Sequence, residues 1–556
     1  MDFSQISTLL VAAAIFGLLA RLLKQPLFIG YLFAGFFLSL VGVISDTNQL
    51  QSLSQIGVTL LLFILGLEMN IGELPSIGKV ALITGLGQVV ITFISGLLIS
   101  LLIGFGFVPS LFLGVALSFS STIIVVKLLA EKKDLSSLYG KLAIGILLVQ
   151  DFFAISFLVF LSGIEGGGFS YQNYLLTFIK AFGLISFVWF VSKKFIPKIF
   201  EKLTLNSQEM MFILSIAWVM GFSYFVHGPL GFSLEIGGFL AGLALSNLPE
   251  QLEIGSRMRP LRDFFLTLFF ILLGSQLAIG DTTFGLLAPA MLFSIFVLIV
   301  HPLSIMSILG FLGYRKRTSF FTGLTNAQIS EFSFIIMSVG LSLGYIDSKF
   351  FSLVIIIGAI TMTTSSYLIF GAEKLYKKIS KYLSIFERDI TKEGVFIKSL
   401  NYNDHVVLIG CDRTGKSLLK YLVKKGYRLI VVDFNPNVYK KLTAEKIECL
   451  FGDIEDPEIL NASNLRQARI VISTISNFSD NMAVLEYIRG EKRPLTLMTA
   501  AFSNEALRLY EAGANYVIVP SIIAGEHMRH IIKSYGTKGE RLIKAGHSHF
   551  KRLTYM

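Results

Sequence analysis

The residues with most chemistry to offer lie where polar side chains are least expected. Asp151 stands in GILLVQDFFAISF, residues 145–157, as one carboxylate in a run that otherwise suits hydrocarbon. Placing a charge there is costly, by estimates from about 3 kcal/mol upward, so such an acid faces a cavity and marks an ion or proton path. Loss of hydration also favours a protonated carboxyl over a carboxylate. Asp151 can therefore hold a proton or a hard monovalent cation, never both, and that competition suffices for antiport if only the loaded site changes access. Gln150 beside it adds a neutral polar group. Two further interruptions, SFSSTI at 118–123 and NAQISE at 326–331, supply Ser120, Ser121, Thr122, Gln328, Ser330 and Glu331. Unpaired backbone is not tolerated against lipid, so polar breaks of this kind are buried in protein or line a water-filled cavity.

Each of these residues has a plainer reading. Asp151 could pair with Lys180, the only basic residue well inside a neighbouring span, and merely glue helices. Glu331 reads as a structural partner of a basic group rather than an ion ligand, and Glu235 as structural. Glu68 is either a snorkelling surface carboxylate or a pathway group. His301, followed by Pro302 in LIVHPLS, reads as a satisfied core histidine, with pH sensing as the alternative.

The elements that position these groups are membrane spans. Of the 556 residues, 53% are hydrophobic and 15% charged. Apolar runs of about twenty residues, as a bilayer about 30 Å thick requires, recur until Phe370 and then stop. Thirteen spans are expected, at 6–22, 27–44, 55–70, 80–104, 109–130, 141–163, 173–192, 209–226, 229–247, 262–279, 284–311, 318–343 and 349–370. Ser7–Leu23 has no obvious cleavage site and reads as the first span rather than a leader. Basic residues gather on every second loop, as at Lys132 and Lys133, at Lys193 and Lys194, and at Arg315–Arg317. By the positive-inside rule those loops are cytoplasmic, the N-terminus is outside and the C-terminal part is cytosolic. The net charge of +11 is thus mainly topological, and nucleic acid is not an expected partner. Cys411 and Cys449, the only cysteines, lie beyond the spans, which argues against a disulfide framework and for a reducing cytosol.

The membrane part contains a repeat. GYLFAGFFLS at 30–39 resembles GGFLAGLALS at 237–246, and LLLFILGLEMNIG at 60–72 resembles LFFILLGSQLAIG at 268–280, at offsets of 207 and 208. Span 2 then corresponds to span 9. A shift of seven spans reverses the crossing sense, giving an inverted repeat with two access states around a midplane site. The same offset lays SFSSTI on NAQISE, so two broken helices are expected to cross beside span 6 and Asp151. At an offset of 208 the counterpart of Asp151 is Ala359, so the second half brings no matching acid.

From Asp404 the pattern changes to strand, turn and helix. HVVLIG at 405–410 precedes a helix at 416–425 and the strand RLIVVDF at 428–434, and CLFGD, ARIVIST, LTLMTAA and NYVIVP follow. Strands alternating with helices predict a parallel, doubly wound α/β sheet. The first turn, GCDRTG, offers Gly410, Asp412, Arg413, Thr414 and Gly415, with Asp433 ending the second strand and Asp453 following the third. Asp412 stands where a dinucleotide fingerprint has its middle glycine, and a carboxylate there crowds a pyrophosphate. AMP or another adenosine nucleotide such as ATP, NAD(H), and a nucleotide-free scaffold that only dimerises all remain open. A membrane-bound NAD-dependent oxidoreductase is disfavoured, because no catalytic His or Lys constellation accompanies the turn.

Taken in order, LLLFILGLEMN, ALSFSSTIIVVKLL, GILLVQDFFAI, GGFLAGLALS and NAQISEFSFII resemble the monovalent cation:proton antiporter-2 family, and Gln150-Asp151 resembles its Kef-type potassium branch. The resemblance implies thirteen helices, a core domain moving against a dimerisation domain, and Asp151 as the carboxylate shared by cation and proton. The Gln-Asp form implies electroneutral exchange with potassium, where two adjacent acids imply electrogenic sodium exchange. Two departures weaken the transfer of ion selectivity: His301 stands in the region where many relatives carry a lysine, and the motif in the tenth span ends Gly274-Ser275-Gln276 rather than Gly-Met. The soluble part, with FGDIEDPEIL at 451–460, resembles the TrkA-N module of regulators of potassium conductance. That implies gating through dimerisation and ligands such as nucleotides or glutathione, although no glutathione motif is evident.

The expectation is an inner-membrane homodimer with a membrane domain at 1–371, a linker at 372–403, a regulatory domain at 404–535 and a tail at 536–556. Potassium and protons are its substrates, and an ancillary regulator is a further expected partner. The rival readings are a ligand-gated potassium channel and a sodium:proton antiporter of the same fold.

Overall fold

The computed structural model describes residues 3–23, 25–44, 48–68, 78–132, 134–135, 137–162, 207–277, 281–387, 402–411, 413–490 and 493–535, with isolated positions within 180–196 and 539–547. The seventh expected span, 173–192, lies mostly outside them, as do Asp412 and most of the tail. The chain divides into two compact units, one of Met1–Leu135 with Tyr139–Arg388, the other containing Asp389–Met556.

In the first unit the described helices are α1 (Phe3–Leu22), α2 (Leu27–Leu40), α3 (Asn48–Glu68), α4 (Gly78–Leu102), α5 (Phe107–Ala116), α6 (Thr122–Lys132), α7 (Leu138–Ser162), α8 (Gln208–His227), α9 (Leu234–Leu245), α10 (Gln251–Ser275), α11 (Asp281–Phe311), α12 (Lys316–Thr325), α13 (Glu331–Ser342), α14 (Ser348–Phe370) and α15 (Ala372–Ile379). Seven of these are long and apolar enough to cross a membrane. Exposed Ile15, Leu18, Ile94, Leu98, Ile295 and Ile299 give α1, α4 and α11 an apolar surface suited to lipid. Residues 372–387, expected as linker, instead belong to this unit. Tyr376 packs on Phe320 and Phe321 of α12, and Arg317 pairs with Glu373 at 2.8 Å.

The repeat is visible in reciprocal helix contacts. A Cβ on Gly35 of α2 would lie 1.9 Å from Ile271 O of α10, and one on Gly242 of α9 would lie 1.9 Å from Phe63 O of α3. The reverse contacts match as well: Gly274 meets Leu32 O at 2.0 Å and Gly66 meets Phe239 O at 2.2 Å. Each residue has its counterpart 207 or 208 positions on. With lipid on the outside there is little hydrophobic drive between helices, so close backbone approach at small residues carries the packing. A third pair fixes the register of the breaks. Gly114 on Phe93 O (3.0 Å) mirrors Gly323 on Pro302 O (2.8 Å), now at an offset of 209. The ends of α5 and α12 and the starts of α6 and α13 share that offset, one residue more than the sequence alignment gave.

In the second unit a six-stranded parallel sheet has the order β3-β2-β1-β4-β5-β6. The strands are β1 (His405–Ile409), β2 (Leu429–Asp433), β3 (Cys449–Phe451), β4 (Ala468–Ser473), β5 (Leu495–Thr499) and β6 (Tyr516–Ile518). Both β1 and β2 are buried throughout, as apolar strands covered by helices on both faces should be. The order reverses between β1 and β4, which makes the end of β1 the switch point of the sheet. There the turn leads into α16 (Arg413–Lys424).

Candidate functional site

Five residues separate α5 from α6 and five separate α12 from α13, so both helices are broken as expected. Serines restart both. Ser121 Oγ accepts the Ile124 N–H at 3.3 Å, and Ser330 Oγ accepts the Phe332 N–H at 3.2 Å. These two serines are counterparts at offset 209 and act as helix caps, a role that short hydroxyl side chains fill by taking otherwise unpaired N–H groups. Ser333 closes the second cap, accepting the Ser330 N–H at 3.3 Å and donating to Ala116 O, at the end of α5, at 2.5 Å.

Asp151 sits mid-way along α7 and is 2% exposed. Thr122, the first residue of α6, donates to its Oδ2 at 2.8 Å, while its buried Oδ1 has no hydrogen-bond partner among the described residues. The carboxylate thus meets the start of a half-helix, where unpaired N–H groups and the helix dipole favour negative charge. Gln150 is bound elsewhere. Its Oε1 accepts the Ser120 N–H at 2.9 Å, and its Nε2 donates to Gln88 Oε1 of α4 at 2.6 Å.

The two breaks are tied together at one point. Ser120 Oγ donates to Asn326 O at 2.8 Å, and His301 of α11 has Leu117 O 2.7 Å from Nε2 and Asn326 O 3.0 Å from Nδ1. The histidine is a buried, satisfied core residue as expected, and its partners also make it a strut between the breaks. Glu331 opens α13, is 5% exposed, hydrogen-bonds Ser121 and the Ile123 backbone, and lies close enough to Asp151 to act on it electrostatically. Arg262 of α10 is the cation that acts on Glu331, and it is paired with Asp263 at 2.8 Å. Gln328 turns to α14 instead, where its Oε1 accepts from Ser365 Oγ at 2.5 Å.

The Asp151–Lys180 pairing is not what the structure contains: exposed Lys180 donates to Leu230 O at 3.4 Å, while Asp151 is engaged by Thr122. Glu68 ends α3, and its side chain lies outside the described residues. Glu235 occupies the first turn of α9. Sequence reasoning missed Gln88 and Thr92, and it underrated His301 and Asn326. A signal existed for the first two, since Thr84, Gln88, Thr92 and Ser100 are polar at four-residue multiples on α4 and all are buried.

In the second unit Gly410 has φ +83°, a conformation that favours glycine, and a Cβ on Gly415 would lie 2.2 Å from Gly410 O. Asp433 holds this turn: Oδ2 accepts the Cys411 N–H and Oδ1 the Asn435 N–H, both at 2.7 Å. Thr474 Oγ1 donates to Gly410 O at 3.0 Å, a contact the sequence did not announce. Thr414 is exposed on α16, the Arg413 side chain lies outside the described residues, and Asp453 Oδ1 accepts the Glu455 N–H at 3.1 Å. Burial, helped by the Asp433 carboxylate, pushes the Cys411 thiol up to about 11, and burial raises the Cys449 thiol as well. Neither is a reactive thiolate at neutral pH.

The transmembrane sodium/hydrogen exchanger family matches residues 8–370, and the TrkA-N domain family matches residues 406–520. The chain is 25% identical over 539 residues to a putative cation/proton antiporter, YbaL, of Escherichia coli, covering 92% of this chain and 93% of that one. It is 31% identical over 375 residues to K(+) efflux antiporter 5 of Arabidopsis thaliana, covering 66% of this chain and 65% of the relative. Among solved structures, the sodium proton antiporter MjNhaP1 of Methanocaldococcus jannaschii has the same fold over 69% of this chain and 98% of that one, with a TM-score of 0.50 and 16% identity. With the family matched over 363 of 556 residues, residues 8–370, the chain belongs to the transmembrane sodium/hydrogen exchangers, monovalent cation:proton antiporters that are secondary transporters and not enzymes.

Proposed function

We propose that this protein exchanges potassium for protons, one for one, through alternate occupancy of Asp151. The observation that carries the reading is the state of that carboxylate: one oxygen is held by Thr122 at the start of a half-helix, and the other is buried with no partner among the described residues. A proton or a desolvated monovalent cation satisfies that oxygen, and each excludes the other. Gln150 beside it is neutral and Glu331 is engaged by Ser121 and the Ile123 backbone, so Asp151 carries the one exchangeable charge and the cycle is electroneutral. Potassium is favoured over sodium by the Gln-Asp pair and by the relatives named K(+) efflux antiporters. Thr122, Ser120 and the carbonyls of the two breaks are the remaining oxygens from which a cation shell is built.

The protein works as a homodimer in the inner membrane, N-terminus outside, with the sheet domain in the cytosol as regulator. An adenine nucleotide, AMP, ATP or NAD(H), is the proposed ligand at the Gly410–Gly415 turn, which the switch point of the sheet and the glycine conformation support.

Proteoliposomes loaded with a pH-sensitive dye test the transport reading. An imposed potassium gradient is expected to drive a pH change, and Asp151→Asn to abolish it. Normal exchange by Asp151→Asn, or a response to sodium alone, would contradict it.

A further inference from the structure

Gln88 is completely buried on α4, in an arrangement where each donor and acceptor is dictated by its neighbour. Thr92 gives its one hydroxyl hydrogen to the Gln88 backbone carbonyl at 2.8 Å. Its oxygen is then an acceptor toward the Gln88 side chain, 2.9 Å away, and this requires the amide NH2 on that side. The same NH2 reaches Ser118 O at 3.3 Å, again an acceptor only. The Gln88 carbonyl oxygen is thereby turned toward Gln150, which must answer at 2.6 Å with its own NH2. Gln150 Oε1 is left for the Ser120 N–H at 2.9 Å. The orientation of the amide next to Asp151 is thus set from both sides, by the Ser120 N–H and, through Gln88, by a threonine hydroxyl on another helix.

We propose that Gln88 is a positioning residue for the exchange reaction. It fixes Gln150 with its oxygen on the Ser120 N–H, which holds the 117–121 segment in place and keeps Asp151 Oδ1 open as the exchanging atom. This rests on the antiport reading of Asp151. The relay also keeps position 150 neutral, because a carboxylate there would face Gln88 Oε1 acceptor to acceptor. The repeat does not duplicate it: at offset 209, Gln88 and Gln150 correspond to Val297 and Ala359. The relay belongs to the half that carries the acid.

The test uses the full chain in proteoliposomes, reading potassium-driven pH change over a range of potassium concentrations. Gln88→Met is expected to raise the apparent KM for potassium about tenfold while the maximal rate stays within about threefold, the pattern of lost cation binding. Because Gln88 acts through Gln150, adding Gln88→Met to Gln150→Met is expected to change the KM by less than about twofold. Gln88→Glu supplies a readout that packing does not move. Its protonated carboxyl has a donor for Thr92 and an acceptor for Gln150, and its ionised form has no donor. Its KM, taken relative to wild type at the same pH, is expected to lie near one at the acid end, where Gln88→Met, which offers Gln150 no acceptor, keeps its increase of about tenfold.

An unchanged KM in Gln88→Met, a full multiplicative loss in the double variant, or a Gln88→Glu ratio at the acid end about tenfold above one overturns the relay. If Gln88→Met does not fold, the Gln88→Glu ratio decides alone. No coupled flux from the wild-type protein with any monovalent cation overturns the antiport reading and the relay together, whereas normal wild-type flux with an inert Gln88→Met overturns the relay only.

Discussion

A carboxylate with one partnered and one unpartnered oxygen is poised between two occupants, and the hydrogen bond on Oδ2 determines how well it is aimed. Thr122→Val removes that bond from a buried acid, a change of about 1.5 kcal/mol, so apparent potassium affinity is expected to fall roughly tenfold. Thr122→Ser keeps the donor and is expected to stay near wild type, and concentration dependence of the exchange checks both. Cys411 supplies a second residue-scale expectation, away from the membrane. Since its thiol is pushed up to about 11, labelling by a disulfide reagent in the native protein is expected to be negligible at pH 8 and to appear only as pH nears that value. Rapid labelling at pH 8 would contradict this expectation. Asp151, Gln150 and Thr122 were legible because polar groups stand out in an apolar run. The His301 strut was not legible, because its carbonyl partners lie at 117 and 326, and such contacts exist only once the chain is folded.

The elements follow from local chemistry at the breaks and from glycine at the crossings. Ser330→Ala removes a cap and a capping-box partner, and a loss of about 1 kcal/mol is expected as a lower melting temperature in detergent. Gly242→Val should be far worse, since a Cβ there would meet Phe63 O at 1.9 Å, and loss of folded protein is expected on size-exclusion chromatography. Gly221→Ala, with no described atom within 4 Å of its Cβ, is the control and should be neutral or slightly stabilising. All six strands of the second unit were legible from short apolar runs between turn residues, and the repeat was legible in its paired glycines. Two things were not. The one-residue change in offset at the breaks has no counterpart in apolar composition. The packing of α15 onto α12 depends on Tyr376 reaching Phe320 and Phe321, which an amphipathic segment after a last span does not reveal.

At the scale of the whole molecule, a membrane antiporter unit and a switch-point sheet domain lie on one chain. The ligand proposal for the second unit predicts that AMP, ATP or NAD(H) raises its melting temperature and changes the exchange rate in liposomes, as any ligand favouring the folded state must do for stability. A flat calorimetric trace with all of them would leave the sheet as a scaffold. For the first unit, alternate occupancy of one carboxylate makes proton and cation binding mutually exclusive, and linkage then requires each to weaken the other equally. The measurement that addresses this most directly is the apparent KM for potassium at a series of pH values in wild-type proteoliposomes. Competition at Asp151 predicts that over the acid range the KM falls by about tenfold for each pH unit of alkalinisation while the maximal rate at saturating potassium holds. A KM independent of pH, with the maximal rate changing in its place, would contradict a shared site.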